Sequence, residues 1–283
     1  MRIGVKSSLL VLVLSLFALA AGAVRAQSRS THGPAHGSLV LQGGVGLNPA
    51  IASAFVALAG GPGSQIVVIP TASVGDAGPP GMAEYLARRM KESFGVAAVT
   101  VVHTNDRAEA DSDRFIEPFR RSTGVWMLGG FPENLVHAYL GTKVERAIKE
   151  LLDRGGVVGG ESAGAMIQGS WLDTTDNEGF SPDILALIRK HASGAGFGLL
   201  TNAGIFPHFD KRGSAAAIKE SAADPDQLAI GIDEETALIV SGDVARVLGS
   251  GTVSMYDGAR RGEPKVVILR SGDRYDLAAR RKE

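Results

Sequence analysis

The chain contains no cysteine. No disulfide can brace it and no N-terminal cysteine can carry a lipid, so its stability must come from an ordinary hydrophobic core. An excess of positive charge is also missing. Lysine and arginine number 29 against 30 acidic residues, and Arg2, Lys6 and Arg25 fall in the first 26 residues, so the remainder carries 26 − 30 = −4. That balance offers phosphate backbones little to bind and argues against a nucleic-acid partner. No spaced ligand set such as His-Glu-x-x-His occurs, and neither a metal nor another cofactor is expected. No Pro-rich or Ser-rich linker and no internal repeat divides the chain beyond its first 37 residues.

The apolar run Leu9 to Ala21 follows Arg2 and Lys6 and precedes Ala23-Val-Arg-Ala26. It is shorter than the roughly 20 residues that span a bilayer, and the flanks read as a secretory signal peptide over 1–26. The mature protein is therefore expected to begin near Gln27, to be exported to the periplasm or beyond, and to keep no stable membrane association. The polar stretch Gln27–Gly37 reads as a flexible leader. About 250 remaining residues are enough for one large domain over 38–283.

Short β-rich runs lie at Ser38–Gln42, Gln65–Pro70, Ala97–His103, Gly124–Leu128 and Gly156–Gly160. Between them are helix-period segments at Asn48–Leu58, Pro80–Phe94, Asp111–Arg121 and Thr142–Asp153, the last opened by a Thr142-x-x-Glu145 capping box. This alternation predicts an α/β fold, a mostly parallel sheet with helices on both faces and functional loops at the carboxyl ends of its strands. Beyond His208 come closely spaced runs at Leu228–Ile232, Ala237–Val240, Val244–Leu248, Gly251–Met255 and Lys265–Leu269. They predict an antiparallel extension of one sheet edge.

Gly160-Glu-Ser-Ala-Gly164 follows the fifth run and precedes a helical stretch. A serine at such a strand-to-helix turn is held with its hydroxyl exposed, which makes Ser162 a candidate nucleophile. A serine hydroxyl needs a base to take its proton and usually an acid to orient that base. Of the six histidines, His32 and His36 lie in the leader, His103 ends a remote strand, His137 is in a helical segment and His191 follows Arg189-Lys190 at a solvated helix end. His208, between Pro207 and Phe209 in a loop after the serine turn, is the best placed. Gly231-Ile-Asp-Glu-Glu-Thr-Ala237 offers Asp233, Glu234 and Glu235 as acids. The Gly129-Gly130 pair after the fourth run could present a backbone N–H to an oxyanion, with Ala163 N–H as the second donor.

Together, Leu128-Gly-Gly130, Gly160-x-Ser-Ala-Gly-Ala165, His208-Phe-x-x-Arg212 and Gly231-Ile-Asp-Glu-x-Thr-Ala237 resemble, in that order, the S51 serine peptidases. That family includes cyanophycinase and the α-aspartyl dipeptidases. The resemblance covers about Ser38 to Leu248 and implies a flavodoxin-like sheet akin to class I glutamine amidotransferases. It also implies a Ser162, His208, Glu234 triad, with Asp173, Asp176 and Glu178 as alternative acids. The export signal and overall pattern are most similar to cyanophycinase-like proteins, which cleave β-aspartyl-arginine units, so a peptide or cyanophycin-like substrate is implied. A homodimer is left open. This chain departs from that pattern in carrying Glu161 before the serine, Phe131-Pro-Glu-Asn after the glycine pair, and only Arg212 where an arginine-rich run is expected. Glu161, Phe131 and Arg212 are accordingly the candidate substrate-binding residues. Two rival readings are an α/β-hydrolase esterase, whose triad runs in the order Ser, acid, His, and a non-catalytic peptide-binding relative.

Overall fold

A computed structural model describes residues 32–74, 80–172, 181–191, 196–213, 224, 226–258 and 265–283. The expected signal segment lies outside these residues, as do Asp173, Asp176 and Glu178. Five strands form the centre: β1 (Ser38–Gln42), β2 (Gln65–Ile69), β3 (Ala98–Val101), β4 (Gly124–Met127) and β5 (Val157–Glu161). All pair in parallel, in the order β3-β2-β4-β5-β1. Strands β2 to β5 thus occupy the 2-1-3-4 order of a flavodoxin-like sheet, and β1 fills the fifth place.

Successive residues of these strands enter two different cores. Leu39, Leu41, Val67, Ile69, Val125 and Met127 face one side, while Val40, Ile66, Val68 and Trp126 face the other. Strands apolar on both faces require cover on both. Helices α1 (Pro49–Leu58) and α2 (Met82–Phe94) supply one cover, placing Phe55 and Phe94 edge-on against Trp126 at centroid distances of 5.0 and 5.7 Å. The Asn48 side chain caps α1 by accepting the Ala50 N–H at 2.9 Å.

The opposite cover follows α3 (Arg107–Ala110) and consists of α4 (Glu117–Arg121), α5 (Pro132–Tyr139) and α6 (Lys143–Asp153). Of the helix expected over Asp111–Arg121 only its last part forms, as α4, while α3 precedes that span. Asp106 caps α3, and Pro118, which cannot donate to a preceding turn, sits in the first turn of α4. Thr142 caps α6 as expected, but the Glu145 carboxylate takes the Gly141 N–H at 2.6 Å. His191, expected at a solvated helix end, lies against Glu145 with its Nε2 3.1 Å from Oε2.

The remaining elements are α7 (Ala163–Met166), β6 (Gly169–Trp171), α8 (Pro182–Lys190), β7 (Leu200–Pro207), α9 (Phe209–Arg212) and β8 (Leu228–Ile232). They are followed by β9 (Thr236–Ser241), β10 (Val244–Gly249), β11 (Thr252–Asp257), β12 (Lys265–Arg270), β13 (Arg274–Asp276) and β14 (Arg281–Lys282). The expected antiparallel edge is present: β9, β10, β13 and β14 continue the sheet outward from β1. Strands β8, β11 and β12 do not join it. They pair with β7 and β6 as a second sheet in the order β12-β11-β8-β7-β6. The place beside β1 is taken by β9, so the long strand β7 pairs parallel with β8 instead.

Ala203, Ile205, Ile230 and Met255 of the second sheet share one continuous core with β1, β4 and α5. The leader is described from His32 onward and is fixed there. His32 N–H donates to Asp243 at 2.8 Å, and Gly33 N–H to Gly242 at 3.0 Å. Among the described residues, no helix is long and apolar enough to cross a membrane.

Candidate active site

Ser162 occupies the one-residue turn between β5 and α7, with φ 51° and ψ −117°. A non-glycine residue adopts that conformation only when its surroundings impose it. Here they do. A Cβ on Gly160 would come within 2.4 Å of the Gly164 oxygen, and one on Gly164 within 2.2 Å of the Met127 oxygen, so α7 packs directly on β4 and β5 through two glycines. The Ser162 N–H is anchored to the Gln42 carbonyl at 3.0 Å, which ties the turn to the end of β1.

The second sheet delivers the other two groups. Pro207 of β7 pairs with Ile232 of β8, so His208 and Glu234 leave adjacent strand ends just beyond the last paired residues. His208 has a left-handed backbone, φ 53° and ψ 37°, and its N–H donates to the Gly43 carbonyl at 2.9 Å. Its ring lies over Gly44, where a Cβ would meet Cε1 at 2.2 Å. Nε2 is 3.0 Å from Ser162 Oγ and Nδ1 is 2.8 Å from Glu234 Oε1.

The other two acids of that loop are otherwise engaged. Asp233 accepts from Thr252 N–H and Oγ1 at 2.8 and 2.7 Å, and Glu235 accepts from Ser250 at 3.3 Å. The acid beside the histidine therefore follows it in the chain, the reverse of the α/β-hydrolase order.

A cavity of about 440 Å³ opens beside Ser162, walled by Phe131, Met166, Phe206, Phe209 and Arg212, with Gly130 at its edge. Phe131 is 65 % exposed at its mouth. Arg212 has no acidic partner among the described residues, which leaves its guanidinium available to an anion.

Glu161 is not among the lining residues. Burial lifts its pKa above the ordinary carboxylate value, opposed by the nearby N–H groups of Gly129 and Gly46 and by His208. Its Oε2 is buried without a hydrogen-bond partner among the described residues. Gly129 packs against Ser162, where a Cβ would lie 3.1 Å from the serine Cβ. Neither the Gly130 nor the Ala163 N–H has a protein acceptor among the described residues.

Three contributors were not singled out in the sequence. Gln42, fully buried at the end of an apolar strand, holds the Gly43–Gly46 loop through the Gly44 and Gly46 carbonyls. Asp210 accepts the Glu234 N–H at 3.1 Å, and Lys211 lies 2.8 Å from Asp210 and 3.9 Å from Glu234. A lone amide ending the run Leu39-Val-Leu-Gln42 was a readable signal. The Asp210–Lys211 pair, two charged residues in the loop expected after His208, carried no signal of its own.

Residues 39–248 match peptidase family S51. The chain belongs to that family. Among S51 relatives, the cyanophycinase of Synechococcus elongatus is 30 % identical over 210 residues, 73 % of this chain and 63 % of that protein. This chain therefore spans less than two thirds of that relative's length. The cyanophycinase of Trichormus variabilis is 29 % identical over 246 residues, 80 % of either chain. The crystal structure of a peptidase from an acI-B1 Actinobacterium superposes with a TM-score of 0.64 at 27 % identity, covering 86 % of this chain and 98 % of that one.

Proposed function

We propose that this S51 member is an exported serine peptidase that cleaves aspartyl peptide bonds through an acyl-enzyme. The observation that carries the reading is the continuous hydrogen-bonded series Ser162–His208–Glu234 at the wall of an open cavity. His208 Nε2 takes the Ser162 proton as Oγ attacks the scissile carbonyl. Glu234 holds the imidazole in the tautomer that leaves Nε2 free to accept, and stabilises the imidazolium that forms. The Gly130 and Ala163 N–H groups receive the developing oxyanion. His208 then protonates the departing amine, and a water, deprotonated by the same ring, releases the acid.

The names of the relatives support an aspartyl substrate such as the β-aspartyl-arginine unit of cyanophycin, and Arg212 supplies a cation for its carboxylate. Phe131 forms part of the wall on which the substrate rests. Export rests on the signal-like segment 1–26.

The test is hydrolysis of cyanophycin and of β-aspartyl-arginine by the mature protein beside Ser162→Ala. Release of soluble product by the wild type alone supports nucleophile and substrate class together. Inactivity on both, with Ser162 still labelled by a fluorophosphonate, moves the specificity elsewhere and keeps the mechanism. Absence of labelling removes the serine-peptidase reading itself.

A further inference from the structure

The loop after β4 is a pair of glycines, and a peptide flanked by two glycines can rotate by half a turn at little steric cost. In a trans peptide the C=O and the following N–H point in opposite directions, so the side to which the Gly129 carbonyl turns fixes the side to which the Gly130 N–H turns. That carbonyl accepts a hydrogen bond from Ser73 Oγ. Ser73 belongs to a firmly held turn after β2: its own N–H donates to Pro70 O at 2.8 Å, and Thr71 and Ala72 are fully buried. Thr71 is locked in turn by Tyr139 at 2.6 Å and His103 at 2.9 Å.

The same turn holds the far end of the glycine pair. Phe131 N–H donates to Ala72 O at 2.9 Å, and Gly130, with φ 133°, lies so close to Ala72 that a Cβ would meet its oxygen at 2.2 Å. On the near side, the Gly129 N–H faces the Glu161 carboxylate. Within this short loop the Gly129 N–H, the Gly129 C=O and the Phe131 N–H are all committed to protein groups. Among the described residues the Gly130 N–H has no protein acceptor, and Gly130 lines the same cavity as Ser162.

We propose that Ser73 is a positioning residue for the oxyanion site: its hydroxyl holds the Gly129–Gly130 peptide in the orientation that presents the Gly130 N–H to the reacting carbonyl. The proposal rests on the reading of Ser162 as nucleophile. It predicts a defect in the covalent step and none in ground-state binding, because the bond touches no substrate.

The experiment follows covalent labelling of Ser162 by a fluorophosphonate, in which Oγ replaces fluoride on phosphorus and the phosphoryl oxygen takes the place of the oxyanion. Labelling rate is read against probe concentration, to separate the maximal rate from half-saturation, and the melting temperature is read alongside. Ser73 is exposed, so removing its hydroxyl leaves the core intact. Ser73→Ala is expected to slow the maximal rate by about ten- to a hundredfold, less than outright loss of an oxyanion donor, with half-saturation and melting temperature unchanged. Ser73→Thr, which keeps the hydroxyl, should restore most of the rate.

A maximal rate within twofold of wild type in Ser73→Ala would overturn the proposal, as would a loss that threonine does not repair. If wild type itself is unlabelled, or Ser162→Ala labels equally, the nucleophile assignment fails and this inference falls with it. Normal wild-type labelling beside an unaffected Ser73→Ala sinks the positioning role alone.

Discussion

Each candidate site side chain is defined by one short-range relation that can be broken singly. Glu234 is a hydrogen-bond acceptor to His208 Nδ1 at 2.8 Å, and an amide there could as readily donate, favouring the wrong tautomer. Glu234→Gln should therefore reduce turnover, or fluorophosphonate labelling, by about a thousandfold with little change in melting temperature. Retention of more than a tenth of the wild-type rate would argue that another acid serves the histidine. Glu161 makes a separate prediction about stability. Its pKa is raised by burial, so the folded state disfavours the charged carboxylate. Such a group costs nothing below its unfolded value of 4.5, where both states are protonated, and its penalty grows as pH rises through the folded value. Glu161→Gln should thus melt with wild type in acid and a few degrees above it at neutral pH, as a pH series of thermal melts would show.

At the scale of elements, the serine turn depends on close approach of backbones. Because a Cβ on Gly164 would sit 2.2 Å from the Met127 oxygen, α7 could accept a methyl group there only by moving off β4. Gly164→Ala is expected to lose about 2 to 3 kcal/mol in denaturant unfolding and to lower labelling of Ser162, since the turn and the glycine loop move with the helix. A variant with wild-type stability would mean that α7 is not seated as tightly as the contact implies. The loop Asp233–Glu235 has a comparable role between the sheets. Strand β8 belongs to one sheet and β9 to the other, and the Gly43 N–H to Thr236 O bond at 2.9 Å holds the crossing against the end of β1.

For the molecule as a whole, the candidate catalytic groups are shared between the two sheets: Ser162 comes from the first, while His208 follows β7 of the second and Glu234 lies where the chain passes between them. The site therefore exists only while both sheets keep their common core. The two tryptophans report on them separately, Trp126 in β4 and Trp171 in β6. Because residues of both sheets belong to one hydrophobic cluster, denaturant unfolding followed by Trp171 fluorescence in Trp126→Phe should coincide with loss of circular dichroism in the same protein. The reciprocal variant Trp171→Phe should behave alike. Separated transitions would show that the sheets unfold independently.

The parallel core and the serine turn were legible in the chain itself because their causes are local. Apolar runs such as Gln65–Ile69 alternate with capped helices such as Asn48–Leu58, and Gly160-x-Ser162-x-Gly164 marks a sharp turn through the residues that alone fit it. His208 and Glu234 were legible as candidates through the ordered motif set. The acid's position at the histidine was decided by strand register, since Pro207 opposite Ile232 brings two loops together that are 26 residues apart.

The second sheet was not readable for a related reason. Strands of similar composition, such as Thr236–Ser241 and Leu228–Ile232, carry no mark of which neighbour they will pair with. Ser73 is the furthest case, an exposed serine in a turn, and only tertiary structure brings its hydroxyl to the Gly129 carbonyl. Sequence determined what could form locally, because propensity and spacing act within a few residues. Tertiary structure determined which groups meet, because pairing and packing are properties of the whole assembled chain.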